Sequence, residues 1–423
     1  MRWSILSSLF WLLVVSSAHY LEDDNYDPFN KTLWRRVRGP GGDGGGQQPT
    51  ASELFLIEDS SLPASCASRV DVLDEWVNEA NLLHEAAMTV YSGYKTKNAY
   101  AILMNQFFGF AITIHPDPNG PTTYSLTPKY GVPQRYTTIG DRLARVSQFL
   151  AGAGLRDPPV PGEAPRVLCS GDAHQLVGPG DITRDKNGNR VVTARDPTTN
   201  EPTEYLSIQD AFIYSEEANF FWVSAFNGYA QLKKESAGET EACPKDNIRY
   251  AATNRGGTLS KIIEPSFEFG KCNRMILFCP ASFNVKQWVA GQRGNSHNYP
   301  SLAQAVSIDN YPSATAGKGG TKTLDNLGLD NILPRSATLY HELFHLTDND
   351  DTSDPYCDSF YLDKLSKALE AAMAGDEDME LIDNPESFVF FAMAAYMTIN
   401  APEGASPVTY MSGLPMRVSE IPF

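Results

Sequence analysis

Residues 388–399 read FVFFAMAAYMTI. The run is too apolar to lie on a surface. It is also too short to cross a bilayer as a helix, which takes about 20 residues. Asn384-Pro385 stands just before it, an N-cap residue followed by proline at the first helical position. The spacing therefore predicts a helix enclosed on all sides by other elements. With 423 residues the chain is long enough to enclose it in one large domain or two ordinary ones.

Other elements read more conventionally. Residues 71–92 place Leu73, Trp76, Val77, Ala80, Leu83, Ala87 and Val90 at helical spacing. His84 falls on or beside that apolar face and reads as a packed core histidine rather than a ligand. A helix at Asp141–Leu150 stops at Gly152 and Gly154. From about 155 to 245 Pro and Gly become frequent, and the stretch reads as a β-rich or irregular insertion. Within it, Asn187-Gly188 suggests the turn of a hairpin between Asp181–Arg184 and Arg190–Arg195. Met275–Cys279 (MILFC) reads as a buried strand. Helices follow at Ser336–Thr347, at Asp358–Ala374 and after Pro385. The folded part is expected to start near Leu62.

The N-terminus has the form of a secretion signal over residues 1–18: Arg2, the apolar core Ile5–Val15, then Ser16-Ser17-Ala18. Residues 19–54 read as a pro-segment ending at the dibasic Arg35-Arg36, followed by the Gly-rich linker Gly39–Gly46. A domain over 55–423 is expected beyond them. Six cysteines, Cys66, Cys169, Cys243, Cys272, Cys279 and Cys357, suit up to three disulfides in a secreted, extracellular protein, with cell-wall attachment left open. Asn30-Lys31-Thr32 is a glycosylation sequon. The net charge of −17 excludes a nucleic-acid partner, since no basic stripe faces phosphates. No run is long enough for membrane insertion, and a monomer is expected.

His341, Glu342 and His345 lie in the stretch HELFH. On a helix, positions i and i+4 share a face, so both imidazoles can meet one tetrahedral ion. Zn2+ is the cofactor expected for that pair. Glu342 stands beside the first histidine, placed to take a proton from water and pass it to a leaving amine. This is the mechanics of a zinc metalloendopeptidase acting on protein or peptide substrates. A catalytic zinc needs a third protein ligand, and no histidine follows His345. The residues alone leave Glu370 and the acids Asp348, Asp350, Asp351 and Asp354 as candidates. Of these, Asp348, Asp350 and Asp351 read more simply as solvated loop carboxylates.

The segment His341–Tyr356, HELFHLTDNDDTSDPY, resembles the aspzincin metallopeptidases, the secreted fungal family of deuterolysin and peptidyl-Lys endopeptidase. In that family HExxH is followed by Gly-Thr-x-Asp, whose aspartate is the third zinc ligand. The resemblance thus implies His341, His345 and Asp354 as ligands and Glu342 as catalytic base, with Asp351 standing where the family has glycine. It extends to Asn384-Pro385-Glu386 with Phe390-Phe391-Ala392, to the strand MILFCP, and to Phe107-Phe108-Gly109. It is faint from about residue 65 to 270.

The family's oxyanion tyrosine points to Tyr356, which follows Asp354 by two residues, while Cys357 holds the family position. Its lysine-binding acid points to Glu386 as a substrate-binding residue, with Val389 where a second acid would stand. The resemblance implies a zincin-like α+β domain of several helices on a small, mostly antiparallel sheet. Peptide would lie along Met275–Cys279 or a neighbouring edge. The alternative is a secreted zinc-binding or host-interaction protein with a degenerate peptidase fold and little proteolytic activity.

Overall fold

The computed structural model describes residues 48–128, 134–158, 162–213, 218–234, 238–244, 249–254, 274–284, 286–288, 296–311, 328–348, 352, 380–405, 408–411 and 413–417. The leader, pro-segment and Gly-rich linker lie outside these residues. So do the helix expected at Asp358–Ala374, Cys272 and Cys357, and Asp350, Asp351, Asp354, Tyr356 and Glu370.

The described residues form a mixed α+β fold with several small sheets. Five helices carry the argument: α1 Val70–Gly93, α2 Asn98–Phe108, α3 Arg135–Gln148, α4 Ser336–Thr347 and α5 Pro385–Ile399. The central sheet has four strands, β1 Leu56–Ile57, β2 Arg166–Leu168, β3 Ala251–Asn254 and β4 Met275–Phe278, in the order β1-β2-β4-β3. Pairings β1/β2 and β2/β4 are parallel, and β4/β3 is antiparallel. This sheet is therefore mixed, where a mostly antiparallel one was expected. The reason lies in the connections: α1, α2 and α3 all sit between β1 and β2, and a crossover of that length permits parallel pairing.

Helix α5 is enclosed as its sequence requires. Phe388, Val389, Phe390, Phe391, Ala392, Met393, Ala394 and Ala395 are all buried, and α1, α2 and α4 pack around the helix. Phe388 stacks on Phe344 of α4 at 4.4 Å, and Phe108 at the end of α2 meets Phe388 and Phe391 at 5.1 and 4.9 Å. Its start is built as read, with the Asn384 side chain accepting from Glu386 N–H at 3.0 Å and Pro385 opening the first turn. Although almost wholly apolar, α5 has 15 residues, and no helix among the described residues is long and apolar enough to cross a membrane.

The core begins earlier than Leu62. Ala51, Leu54 and Phe55 are buried, and β1 already belongs to the central sheet. The stretch 155–245 is β-rich but is not one insertion, because β2 within it is a central-sheet strand. Its other described strands form an antiparallel three-stranded sheet (His174–Leu176, Ala218–Val223, Gly228–Lys233) and a two-stranded one. One face of the former packs Phe221, Val223 and Leu232 with Leu168, Met275 and Leu277 of the central sheet, and Phe220 and Trp222 join a small core with Ile208. The Asn187-Gly188 turn forms, with Arg184 bridged to Arg190 and Gly188 at φ 81°. Beyond it Val192–Arg195 pairs instead with Pro202–Tyr205. A second turn makes this possible: Asp196 accepts from the N–H groups of Thr198 and Thr199.

Disulfides Cys66–Cys169 and Cys243–Cys279 tie the approach to α1 to the end of β2, and residue 243 to the end of β4. Two such bridges are consistent with a secreted protein.

His84 is a core histidine, as expected. It is buried on α1, with Nδ1 3.1 Å from the Tyr340 hydroxyl and Nε2 2.5 Å from the Ser147 hydroxyl. It thereby joins α1, α3 and α4. Burial pushes its pKa from 6.5 down to about 3. The unfolded chain therefore binds a proton at this site between those two values, and the folded protein does not. Stability from this residue is complete above pH 6.5 and falls as pH drops below it, by about 2 kcal/mol at pH 5. Urea unfolding of wild type and His84→Gln at pH 7 and pH 5 checks this. The loss on acidification should be smaller in the variant by about that amount.

Candidate metal centre

Helix α4 carries HELFH with one face on the core. Leu339, Tyr340, Leu343, Phe344 and Leu346 are buried, and Phe344 is held against Phe388. That packing leaves Glu342 facing β3, His341 facing the start of α5 and His345 facing Thr352. His341 is half-buried, while Glu342 is 5% and His345 6% exposed.

The two imidazoles converge. His341 Nε2 lies 3.2 Å from His345 Nε2. Two nitrogens bound to one tetrahedral zinc at about 2.05 Å would stand about 3.3 Å apart. The spacing thus matches two ligands of one ion. Each ring is also engaged on its far side. His345 Nδ1 lies 3.0 Å from the Thr352 hydroxyl, and His341 Nδ1 is 2.9 Å from Glu386 Oε1, at charge-pair distance rather than in an aligned hydrogen bond. With Glu386 and Thr352 on the Nδ1 sides, the two Nε2 atoms face each other, and at that range a proton or a cation bridges them. These residues fit a zinc ion as half of its ligand set. Among the described residues no third His, Cys, Asp or Glu completes a cluster.

Glu342 points to the strand. Its Oε2 accepts from the Thr253 hydroxyl on β3 at 2.5 Å. Among the described residues β3 is an edge of the central sheet, and the internal β4 (Met275–Phe278) has β2 and β3 on its two sides. The MILF strand is therefore taken up by its neighbours, and among the described residues β3 is the adjoining edge.

The C-terminal end of α4 is fixed by three arginines. Arg274 Nη1 donates to the Leu346 carbonyl at 2.5 Å, satisfying one of the helix's open acceptors. Asp348 follows the helix and is not a solvated loop carboxylate. It is 2% exposed and accepts from Arg142 Nε at 2.6 Å and Arg145 Nη1 at 2.7 Å, both on α3. A carboxylate at a helix C-terminus opposes the helix dipole, and the guanidinium groups offset it. Arg142 also reaches the Ile382 carbonyl and pairs with Asp383 Oδ1 at 2.8 Å. One side chain thus joins α3, the end of α4 and the segment entering α5.

Of the residues singled out from sequence, the structure brings His341, His345 and Glu386 together, with Glu386 against His341 Nδ1, while Glu342 on the same helix meets Thr253. Thr352, noted in the motif, meets His345. Sequence reading missed Thr253, Arg142, Arg145 and Arg274. No local signal marks Thr253, which stands in an ordinary strand and meets Glu342 across a separation of 89 residues.

No family model matches the chain, and no solved structure matches it. A curated protein of Penicillium expansum, described as "Non-secreted LysM effector LysM17", is 39% identical over 124 residues, which are 27% of this chain and 16% of that protein. The chain thus covers less than a fifth of that relative's length.

Two outcomes follow from this geometry. Zn2+ at a hundredfold excess over its Kd should raise the unfolding free energy by about 2.7 kcal/mol in wild type and by much less in His345→Ala, read by urea titration with and without metal. Asp348→Ala should cost about 3 kcal/mol without metal, because it leaves two arginines facing a buried gap. The same titration measures it.

Proposed function

We propose that this chain is a zinc-dependent endopeptidase with a zincin-like domain, acting on protein or peptide substrates outside the cell. The observation that carries the reading is the 3.2 Å convergence of His341 Nε2 and His345 Nε2, with the Glu342 carboxylate on the adjoining residue of the same helix. Two disulfides among the described residues support an extracellular setting.

In this reading His341 and His345 hold the metal, and Asp354, implied by the Thr352-Ser353-Asp354 match, is the third ligand. Zinc, when bound, supplies a Lewis acid that polarises the scissile carbonyl and makes water a better nucleophile. Glu342 accepts the proton from the attacking water and returns it to the leaving amine. Its burial beside β3 keeps bulk water from competing at that step. Thr352 and Glu386 orient the two imidazoles from behind. Glu386 is thus engaged with His341, which favours this role over selection of a substrate lysine. Tyr356 is the family's candidate for the oxyanion contact.

A second reading is favoured by one finding, the word "effector" in the description of the partly similar Penicillium protein. On that reading the chain binds zinc or a host partner and has little proteolytic activity.

Incubation of the zinc-loaded protein with an unfolded protein substrate separates the two, with cleavage sites read by mass spectrometry. The endopeptidase reading expects cleavage that falls by at least about a hundredfold in Glu342→Ala. Absence of cleavage, with zinc bound stoichiometrically to both proteins, would leave the binding role as the better account.

A further inference from the structure

We propose that Thr253 is a positioning residue: its hydroxyl anchors the Glu342 carboxylate by Oε2 and leaves Oε1 as the proton-accepting oxygen. This rests on the endopeptidase reading above and adds to it a residue outside the HELFH motif.

The Thr253 hydroxyl donates to Glu342 Oε2, so one carboxylate oxygen is engaged from the strand. At 2.5 Å the contact is at the short end for a hydroxyl donating to a carboxylate. Both partners are held. Thr253 sits inside β3, in register with Ile276 of β4, and its β-branched side chain has few rotamers in a strand. Glu342 is on α4 and 5% exposed, with little water to replace the hydroxyl.

A glutamate beside two metal ligands has two options. It can coordinate the ion itself and close the position that catalysis needs open, or it can stand off as a base. A hydroxyl gripping one oxygen from the side of the strand favours the second. It also couples the base to the sheet edge, so strand and proton acceptor keep a fixed distance.

Two variants separate this role from simple packing, because the two roles rank them in opposite order. Thr253→Val keeps the shape and removes the hydroxyl. Thr253→Ser keeps the hydroxyl and removes a methyl group. Anchoring expects kcat for peptide cleavage to fall at least about tenfold in Thr253→Val, with KM little changed, and to recover in Thr253→Ser. A Thr253→Val protein at wild-type kcat, or a Thr253→Ser protein no better than Thr253→Val, overturns the proposal.

The visible absorption of Co2+-loaded protein without substrate gives a reading free of turnover. Wild type and Thr253→Ser should share one spectrum, and Thr253→Val should differ as Glu342 turns onto the ion. If wild type cleaves nothing, the endopeptidase reading fails and the cobalt spectra decide Thr253 alone, an unchanged Thr253→Val spectrum overturning it. Failure of wild type to take up Co2+ overturns both.

Discussion

The carboxylate of Asp348 lies between Arg142 and Arg145, and the arrangement of the site depends on it. Burying an ion is unfavourable unless opposite charge and hydrogen bonds replace water, and here both oxygens of the carboxylate receive a guanidinium. The same Arg142 holds Asp383 and the Ile382 carbonyl. The end of the HELFH helix and the entry to the buried helix α5 are therefore fixed to one side chain on α3. Thr352 follows Asp348 by four residues and Glu386 follows Asp383 by three, and these two residues meet His345 and His341. The ion-pair cluster thus lies a few residues along the chain from both groups that contact the imidazoles.

The front is built from a different direction. α4 is seated by Phe344 on Phe388 and by Tyr340 on His84, and its outer face meets the edge strand β3 at Thr253 and Glu342. Each candidate side chain has a partner on another element: His341 on α5, His345 on the segment after α4, and Glu342 on the sheet. Imidazoles whose Nδ1 sides are engaged have little freedom to turn, and this keeps both Nε2 atoms aimed at one point.

Much of this was legible in the chain, and the division has a physical basis. α4 and α5 could be read because their signals are local: histidines at i and i+4, an Asn-Pro start, an unbroken apolar run. His84 could be read as core from its place on the apolar face of α1. Asp348 could not. It stands in an acidic stretch, where charges are usually solvated, and only the fold brings Arg142 and Arg145 to it from some 200 residues away. Thr253 was invisible for the same reason. The sheet was expected to be mostly antiparallel, and it pairs β1, β2 and β4 in parallel because strand direction follows from long connections that no window of residues encodes.

The central claim is that His341 and His345 are two ligands of one zinc ion and that Asp354 is the third. Anomalous diffraction at the zinc edge, from crystals of the protein grown with Zn2+, tests it most directly. The account predicts one strong peak at about 2.1 Å from both Nε2 atoms, with an Asp354 carboxylate oxygen at a similar distance. A peak elsewhere, no peak, or a third ligand other than Asp354 would contradict it.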